Sequence, residues 1–123
     1  MPSYTFNHMH HEAKDSHVAA EWYKTLFDAQ LDEPDIKEGV TLIRAHIGPV
    51  TITITDREFS DMELGRYQGY DHLALTSDDF DGTLARIKEV GANVWAGPFD
   101  NGGPRMVFVN GPDNVKIEIL EKK

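Results

Sequence analysis

The sequence predicts an α+β fold made of two tandem βαβββ modules, whose strands form a cupped mixed sheet. Each half of the chain begins with a histidine that is followed seven residues later by an aspartate: His8 with Asp15, and His72 with Asp79. Each half also closes on alternating apolar residues, in the segments VTITI and VKIEI. A sequence that repeats itself at this scale predicts a repeated structural unit, so we divide the chain into two similar modules.

The two modules are predicted to belong to one domain, because a chain of 123 residues can build one hydrophobic core but not two independent ones. A polar segment that carries Gly65 and Gly69 and shows no sustained period separates the modules. The predicted domain is 1–123, with module 1 at about 1–55, a linker at 56–69 and module 2 at about 70–123.

Module 1 is predicted from its turn and capping residues together with its apolar periodicity. Asp15 or Ser16 can cap a helix, and Gly48 and Pro49 form the turn of a hairpin. Pro34 interrupts the weakest of the strands. The predicted elements are a strand at Tyr4–Glu12, a helix ending near Leu26, and strands at Leu31–Ile36, Val40–Ile47 and Val50–Thr55.

Module 2 repeats this order of elements. Asp78 or Asp79 caps its helix, and Gly91 ends it, because glycine adopts the left-handed backbone of a helix C-terminus at little cost. Two segments rich in glycine and proline, 102–104 and 111–114, form turns. The predicted elements are a strand at Tyr70–Ser77, a helix ending near Val90, and strands at Asn93–Ala96, Arg105–Val109 and Val115–Leu120.

The composition argues against several classes of protein. Hydrophobic residues make up 40% of the chain and charged residues 27%, as in ordinary globular domains. A net charge of −9 disfavours nucleic acid as a partner, because phosphate binding needs clustered lysine and arginine. Since no apolar run is long enough to span a membrane and no secretory signal is evident, we expect a cytoplasmic protein without a membrane partner.

Strand alternation predicts which side chains share a face of the sheet. The apolar residues of each closing strand should meet the helix of their own module, which leaves a polar face on the other side. His11 and His17 are expected at exposed or capping positions, without a functional role. The polar face is predicted to carry His8, His10, Arg44, His46, Thr53, His72 and Glu118. Histidine and glutamate at repeat-related positions indicate a metal site, and therefore an enzyme.

Three segments carry a resemblance to a known family. They are FNHMHHEAKDSHVAAEWYKTLFDAQL, GYDHLALTSDDF with the following EVGANV, and GPDNVKIEIL. In their order and twofold spacing they resemble the vicinal-oxygen-chelate superfamily, which includes glyoxalase I, methylmalonyl-CoA epimerase, fosfomycin-resistance transferases and extradiol dioxygenases. The resemblance covers nearly the whole chain.

The resemblance implies a metal site built from the first, fourth, fifth and eighth strands of the fold. Carried onto this sequence, the implied ligands are His8, His72 and Glu118, whereas Thr53 occupies the fourth-strand position. Threonine is a poor ligand beside imidazole or carboxylate, so three protein ligands are expected. The missing carboxylate argues against glyoxalase I itself. The ligand set suits Fe(II), Mn(II), Ni(II), Co(II) or Zn(II), and leaves coordination positions open for substrate.

Four other residues of the polar face are candidates for substrate chemistry. His10 is the first choice for proton transfer, although it is also suited to a fourth ligand, to support of the metal ligands or to the rim of the site. Arg44 is suited to clamp a carboxylate or phosphonate, or to pair with Glu12 or another strand carboxylate. His46 and Thr53 face the same side and complete the predicted substrate-binding set.

The leading functional hypothesis is a small enzyme that depends on one divalent metal ion. It would chelate a small-molecule substrate through adjacent oxygens and stabilise an enolate or alkoxide, in lyase, isomerase or dioxygenase chemistry. The alternatives are a transferase of the fosfomycin-resistance type and a metal-free, drug-sequestering binding protein. The resemblance also implies a homodimer, in which the two modules pair either within one chain or between two chains.

Overall fold

The chain forms two compact units, Met1–Met62 and Glu63–Lys123. The structure, a computed structural model, describes residues 2–59, 62–65 and 68–123. Part of the predicted linker 56–69 therefore lies outside the described residues. Each unit consists of one helix and one mixed sheet, which confirms the predicted α+β class. Neither helix of the described part of the chain has the length and apolar character needed to cross a membrane.

The first unit contains one helix and a five-stranded sheet in the order β1-β5-β4-β2, with β3 paired to β4. Strand β1 runs parallel to β5, and the other pairings are antiparallel. Helix α1 connects β1 to β2, the strands at the two ends of this order, and covers one face of the sheet. The elements are β1 (Met9–Glu12), α1 (Ser16–Phe27), β2 (Gln30–Leu31), β3 (Asp35–Lys37), β4 (Val40–Ile47) and β5 (Val50–Thr55).

Two strand predictions for the first unit are wrong in extent. Strand β1 begins at Met9 and not at Tyr4. Met9 is level with Ile52, and the parallel partner β5 begins only two residues earlier, at Val50. The first residues of the predicted strand therefore have no partner in β5. The strand predicted at Leu31–Ile36 is divided into β2 and β3. Proline cannot donate a hydrogen bond to a sheet, and Pro34 lies between the two short strands.

The second unit repeats the plan with a four-stranded sheet in the order β6-β9-β8-β7. Strand β6 is parallel to β9, and the other neighbours are antiparallel. The strand predicted at Tyr70–Ser77 begins later, at Leu73. The elements are β6 (Leu73–Ser77), α2 (Phe80–Val90), β7 (Asn93–Phe99), β8 (Met106–Asn110), a single 3₁₀ turn (Pro112–Asn114) and β9 (Lys116–Glu121).

The two units match each other in register as well as in element order. Met9 is level with Ile52 in the first unit, and Leu73 is level with Ile117 in the second. Each histidine of the repeat therefore stands directly before the first strand of its unit. The helix caps match too, since the side chains of Asp15 and Asp79 both accept hydrogen bonds from backbone N–H groups of the first helical turn.

The core of the first unit lies between α1 and one face of its sheet. Burial alternates along β4 as predicted, with Ile43 and Ala45 in the core. In β5 the apolar Ile52 and Ile54 face the helix, but Thr53 and Thr55 on the opposite face are buried as well, which the predicted alternation of buried and exposed residues did not anticipate. His11 also lies on the face that meets the helix, where its Nδ1 is 3.0 Å from the hydroxyl of Tyr23 in α1. The expectation of an exposed His11 is therefore wrong, because a hydroxyl from the helix satisfies the buried ring.

Arg105 forms an ion pair with Glu121, the last residue of β9. Arg105 donates from its backbone and its guanidinium to Glu121, at 2.8–3.2 Å, and also to Asp81 at 2.9 Å. These hydrogen bonds lower the pKa of Glu121 below its ordinary value. A carboxylate with a lowered pKa contributes stability that is present above its unfolded pKa of about 4.3 and is lost as the pH falls through the folded value.

We therefore expect Glu121→Gln to lower the free energy of unfolding at pH 7. The difference from the natural protein should shrink as the pH falls below about 4.3, because protonation removes the same carboxylate charge. Urea unfolding at pH 7 and at pH 3 measures this difference. The graded control is Asp81→Asn, which should have a smaller effect because Asp81 is 80% exposed. A Glu121→Gln deficit that stays constant across this pH range would contradict the expectation.

Candidate metal-binding and catalytic residues

His72 and Glu118 lie together in the second unit. Glu118 is level with Ala74, and strand alternation places His72 on the same face as Ala74. The Nε2 atom of His72 is 3.2 Å from Oε1 of Glu118. On the other side of the ring, Nδ1 lies 2.8 Å from Oδ2 of Asp71. The imidazole therefore stands between two carboxylates, of which sequence analysis had identified one.

The electrostatics of this cluster favour a positive charge between the ring and Glu118. The hydrogen bond to Asp71, followed by the hydrogen bond and charge of Glu118, raises the pKa of His72 above its ordinary value, against the opposing effect of burial. If Nδ1 donates its proton to Asp71, then a neutral ring turns its Nε2 lone pair toward the carboxylate oxygen of Glu118. Two acceptors at this distance require either a proton or a cation between them.

The donor set fits a divalent metal ion. Imidazole nitrogen and carboxylate oxygen are both ligands of first-row divalent metals, and a metal-bound histidine commonly donates its second ring proton to a carboxylate. Asp71 occupies the position of that supporting carboxylate. Asp71 was not among the predicted site residues, because adjacency to His72 in the chain does not reveal which ring nitrogen its side chain meets.

His8, the third predicted ligand, lies in the first unit. It stands directly before β1, is exposed, and has its Nδ1 atom 2.6 Å from Oδ1 of Asn7. Within the described residues, no group of three or more histidine, aspartate and glutamate side chains is assembled to hold a metal ion. The structure thus brings His72 and Glu118 together, and the assignment of His8 stays a prediction.

His10 belongs to a hydrogen-bonded chain on the face of the first sheet opposite to α1. Its Nε2 atom is 2.7 Å from Oγ1 of Thr55 and 3.1 Å from Oε1 of Glu12. The Thr55 hydroxyl donates to Oε1 of Glu12 at 2.5 Å, and Oε2 of Glu12 accepts from the backbone N–H of Arg57 at 3.1 Å. Glu12 and Thr55 were not among the predicted site residues, although a period of two places Glu12 on the face of His10.

The direction of these hydrogen bonds fixes the tautomer of His10. Glu12 is an acceptor only, so the Thr55 hydroxyl must donate to it and must itself accept from Nε2–H of His10. When the ring is neutral, Nδ1 then carries the lone pair and is the atom that can accept a proton. His10 is 38% exposed at its side chain, so this atom is not sealed in the core.

The remaining predicted substrate residues share the face of His10. His10, Thr53 and Arg44 form one row across β1, β5 and β4. Arg44 is exposed and forms no ion pair within residues 2–59, 62–65 and 68–123, so the alternative pairing with Glu12 is absent there. Both ring nitrogens of His46 are engaged at 3.0 Å, with Thr51 and Asp32.

Comparison with known proteins identifies the family. A family model described as the glyoxalase/bleomycin resistance protein/dioxygenase superfamily matches residues 5–119. Lactoylglutathione lyase of Salmonella typhimurium is 41% identical over 56 residues, which cover 44% of this chain and 42% of that protein. Lactoylglutathione lyase of Escherichia coli O157:H7 is 40% identical over 63 residues, covering 50% and 45%. The matches thus span less than half the length of these relatives.

Solved structures agree with this fold. A glyoxalase/bleomycin resistance protein/dioxygenase domain from Frankia sp. EAN1pec superposes with a TM-score of 0.82 at 15% identity, over 99% of this chain and 100% of that one. The fosfomycin resistance protein FosX from Listeria monocytogenes, in a mutant form complexed with Mn(II) and a dihydroxypropylphosphonic acid, gives 0.78 at 19% identity, over 100% and 95%. The vicinal-oxygen-chelate resemblance is therefore confirmed, and the chain belongs to the glyoxalase/bleomycin resistance protein/dioxygenase superfamily.

Proposed function

We propose that this protein is an enzyme that depends on one divalent metal ion and chelates a small substrate through two adjacent oxygens. The observation that carries the proposal is the approach of His72 Nε2 to Glu118 Oε1, with Asp71 behind the ring. Relatives named lactoylglutathione lyase support a lyase or a related enzyme. FosX, which was crystallised with Mn(II), supports a divalent ion in this fold.

The proposed ligands are His72, Glu118 and His8. His8 is included because it holds the same place before β1 that His72 holds before β6. It would come either from the same chain or from a second copy, and a homodimer is part of the proposal. Two histidines and one carboxylate leave coordination positions open for substrate. A divalent ion held there would polarise the substrate and stabilise the negative charge of an enolate or alkoxide.

The first unit would supply the groups that act on the substrate directly. His10 is proposed to accept a proton at Nδ1, since the chain through Thr55 to Glu12 keeps the other nitrogen protonated. Arg44, which has no ion pair among the described side chains, would bind a negatively charged substrate group through its planar fork. Thr53 and His46 would border the substrate on the same face.

Thr53 is the feature that separates this chain from a four-ligand site. Its equivalent in the second unit is Glu118, because both stand one residue after the isoleucine that pairs with the start of the first strand. A threonine there leaves the metal with one carboxylate less, and we therefore expect isomerase, lyase or dioxygenase chemistry on a substrate other than the one of lactoylglutathione lyase. For dioxygenase chemistry Fe(II) would be the expected metal, because two histidines and one carboxylate are the ligand set of non-haem Fe(II) oxygenases.

Elemental analysis of protein prepared without a histidine tag tests the proposal most directly. We expect close to one equivalent of Fe, Mn, Ni, Co or Zn per chain, removal by a chelator, and return of activity with the native metal. Catechols, hemithioacetals, 2-oxo acids, acyl-CoA epimers and fosfomycin with a thiol are the substrates to screen. Trace metal together with tight binding of a drug would overturn the enzyme proposal in favour of a sequestering protein, and thiol transfer to fosfomycin would establish the transferase alternative.

A further inference from the structure

Lys116 is a buried cation that has no counter-ion among the residues that the structure describes. Its side chain lies on the same face of β9 as Glu118, two residues away, and the residue is 8% exposed. Its Nζ atom lies 5.4 Å from the ring centre of Trp95. In the described part of the chain the ammonium group has neither an ion pair nor a hydrogen bond. A buried charge is costly unless it is paired, and a cation–π contact offsets only a small part of that cost.

Asn110 lies directly beside this lysine. Asn110 in β8 is level with Lys116 in β9, so the two side chains project from the same face as cross-strand neighbours. Its Oδ1 atom is buried and has no hydrogen-bond partner among the residues that the structure describes. A strong donor and an acceptor thus lie next to each other without hydrogen-bond partners in the described part of the chain, although buried polar groups in proteins are normally satisfied.

Aromatic rings connect this pair to the metal-binding residues. The ring of Trp95 packs edge-on against Phe108 at 5.7 Å, and Phe108 packs edge-on against His72 at 5.2 Å. Phe108 is also level with Glu118. Since a strand rises about 3.3 Å per residue, Lys116 and Glu118 are about 7 Å apart along β9. The unpaired groups therefore adjoin the proposed chelating site and share its face.

We propose that Lys116 and Asn110 bind the far end of the substrate, and that this end carries an anionic group, a carboxylate or a phosphate. Lys116 would pair with the anion, and Asn110 Oδ1 would accept a hydrogen bond from a neighbouring hydroxyl or N–H of the same ligand. Trp95 and Phe108 would contact the apolar atoms in between. The inference rests on the proposed function for the chelated end, whereas the anion site can be tested without metal.

The fluorescence of Trp95 tests the anion site in metal-free protein. Trp22 is the other tryptophan of the chain, so a Trp22→Phe background isolates the signal. Sodium malate and inorganic phosphate, titrated separately at constant ionic strength, should change the emission, and the uncharged diamide of malate should not. The stronger of the two anions identifies the natural group as carboxylate or phosphate. No response to either anion would overturn the proposal.

Lys116→Met separates binding from folding. Methionine has a similar volume without the charge, so the ligand-free variant should melt at a higher temperature than the natural protein, while its affinity for the anion falls about 10- to 100-fold. The matched control is Lys37→Met, because Lys37 is 82% exposed and the substitution changes the net charge equally. An anion response that survives in Lys116→Met, or one that disappears equally in Lys37→Met, would contradict the proposal.

Binding measurements on metal-loaded protein test whether one ligand occupies the chelating site and the anion site together. Calorimetry should give malate about 10- to 100-fold tighter binding than lactate, which has the same vicinal oxygens without the second carboxylate. Lys116→Met should abolish this preference without changing the metal content. If no metal binds at all, the proposed function fails, and the metal-free titration still decides the role of Lys116. Equal affinity for malate and lactate in protein that does hold metal would count against Lys116 alone.

Discussion

Replacing Glu118 by glutamine is expected to abolish binding of the proposed metal ion and, with it, turnover. Glu118 is the single carboxylate among the proposed ligands, and its Oε1 atom already lies 3.2 Å from the ring nitrogen that would share the ion. Glutamine keeps the size of the side chain but removes its negative charge, which is the larger part of its affinity for a divalent cation. We expect metal content after dialysis to fall to trace level and activity to fall with it.

Two further substitutions test whether the loss of metal is specific to Glu118: Asp71→Asn, which should weaken the site, and Glu89→Gln, which should not affect it. Asp71→Asn leaves the ligands in place but weakens the support of His72, so it should lower metal affinity about 10- to 100-fold without abolishing binding. Glu89→Gln makes the same chemical change on an exposed helical residue and should leave metal content at the natural level. A Glu118→Gln protein that keeps a full equivalent of metal and its activity would disprove the assignment of the site.

The repeat in the sequence was sufficient to predict the architecture and the equivalence of the two units. Local signals carried that information: aspartates that cap helices, alternating apolar residues in β5 and β9, and a histidine at the same distance before each cap. The register confirms the equivalence of the two units, because Ile52 and Ile117 each pair with the first residue of the first strand of their unit. Such features depend on neighbours in the chain, and a single sequence therefore reveals them.

Features that depend on partners distant in the chain could not be predicted. Strand β1 ends where β5 ceases to offer hydrogen bonds, so its length is a property of the pair. The buried ring of His11 has a partner in the Tyr23 hydroxyl, which comes from helix α1. In the same way, the contact of His10 with Thr55 joins residues 45 positions apart, and the sequence gives no sign of it.

His10→Gln is expected to lower kcat by about 10²- to 10⁴-fold, the usual contribution of a general acid or base. Glutamine can still donate a hydrogen bond to Thr55, but it has no nitrogen that accepts a proton at neutral pH. Metal content should not change, because His10 is assigned to proton transfer and not to the ligand set. The measurement is kcat and metal content in parallel, with a substrate identified in the screen.

Two further variants decide between the roles open to His10. His17→Gln is the matched control, since His17 is an exposed histidine in the first turn of α1, and it should keep full activity. Thr55→Val breaks the chain that fixes the tautomer of His10, so it should lower kcat by less than His10→Gln does, with metal unaffected. If His10→Gln instead lost metal along with activity, His10 would be a fourth ligand, and the position left vacant by Thr53 would be filled from β1. Unchanged kcat in His10→Gln would place the proton-transfer group elsewhere on the polar face.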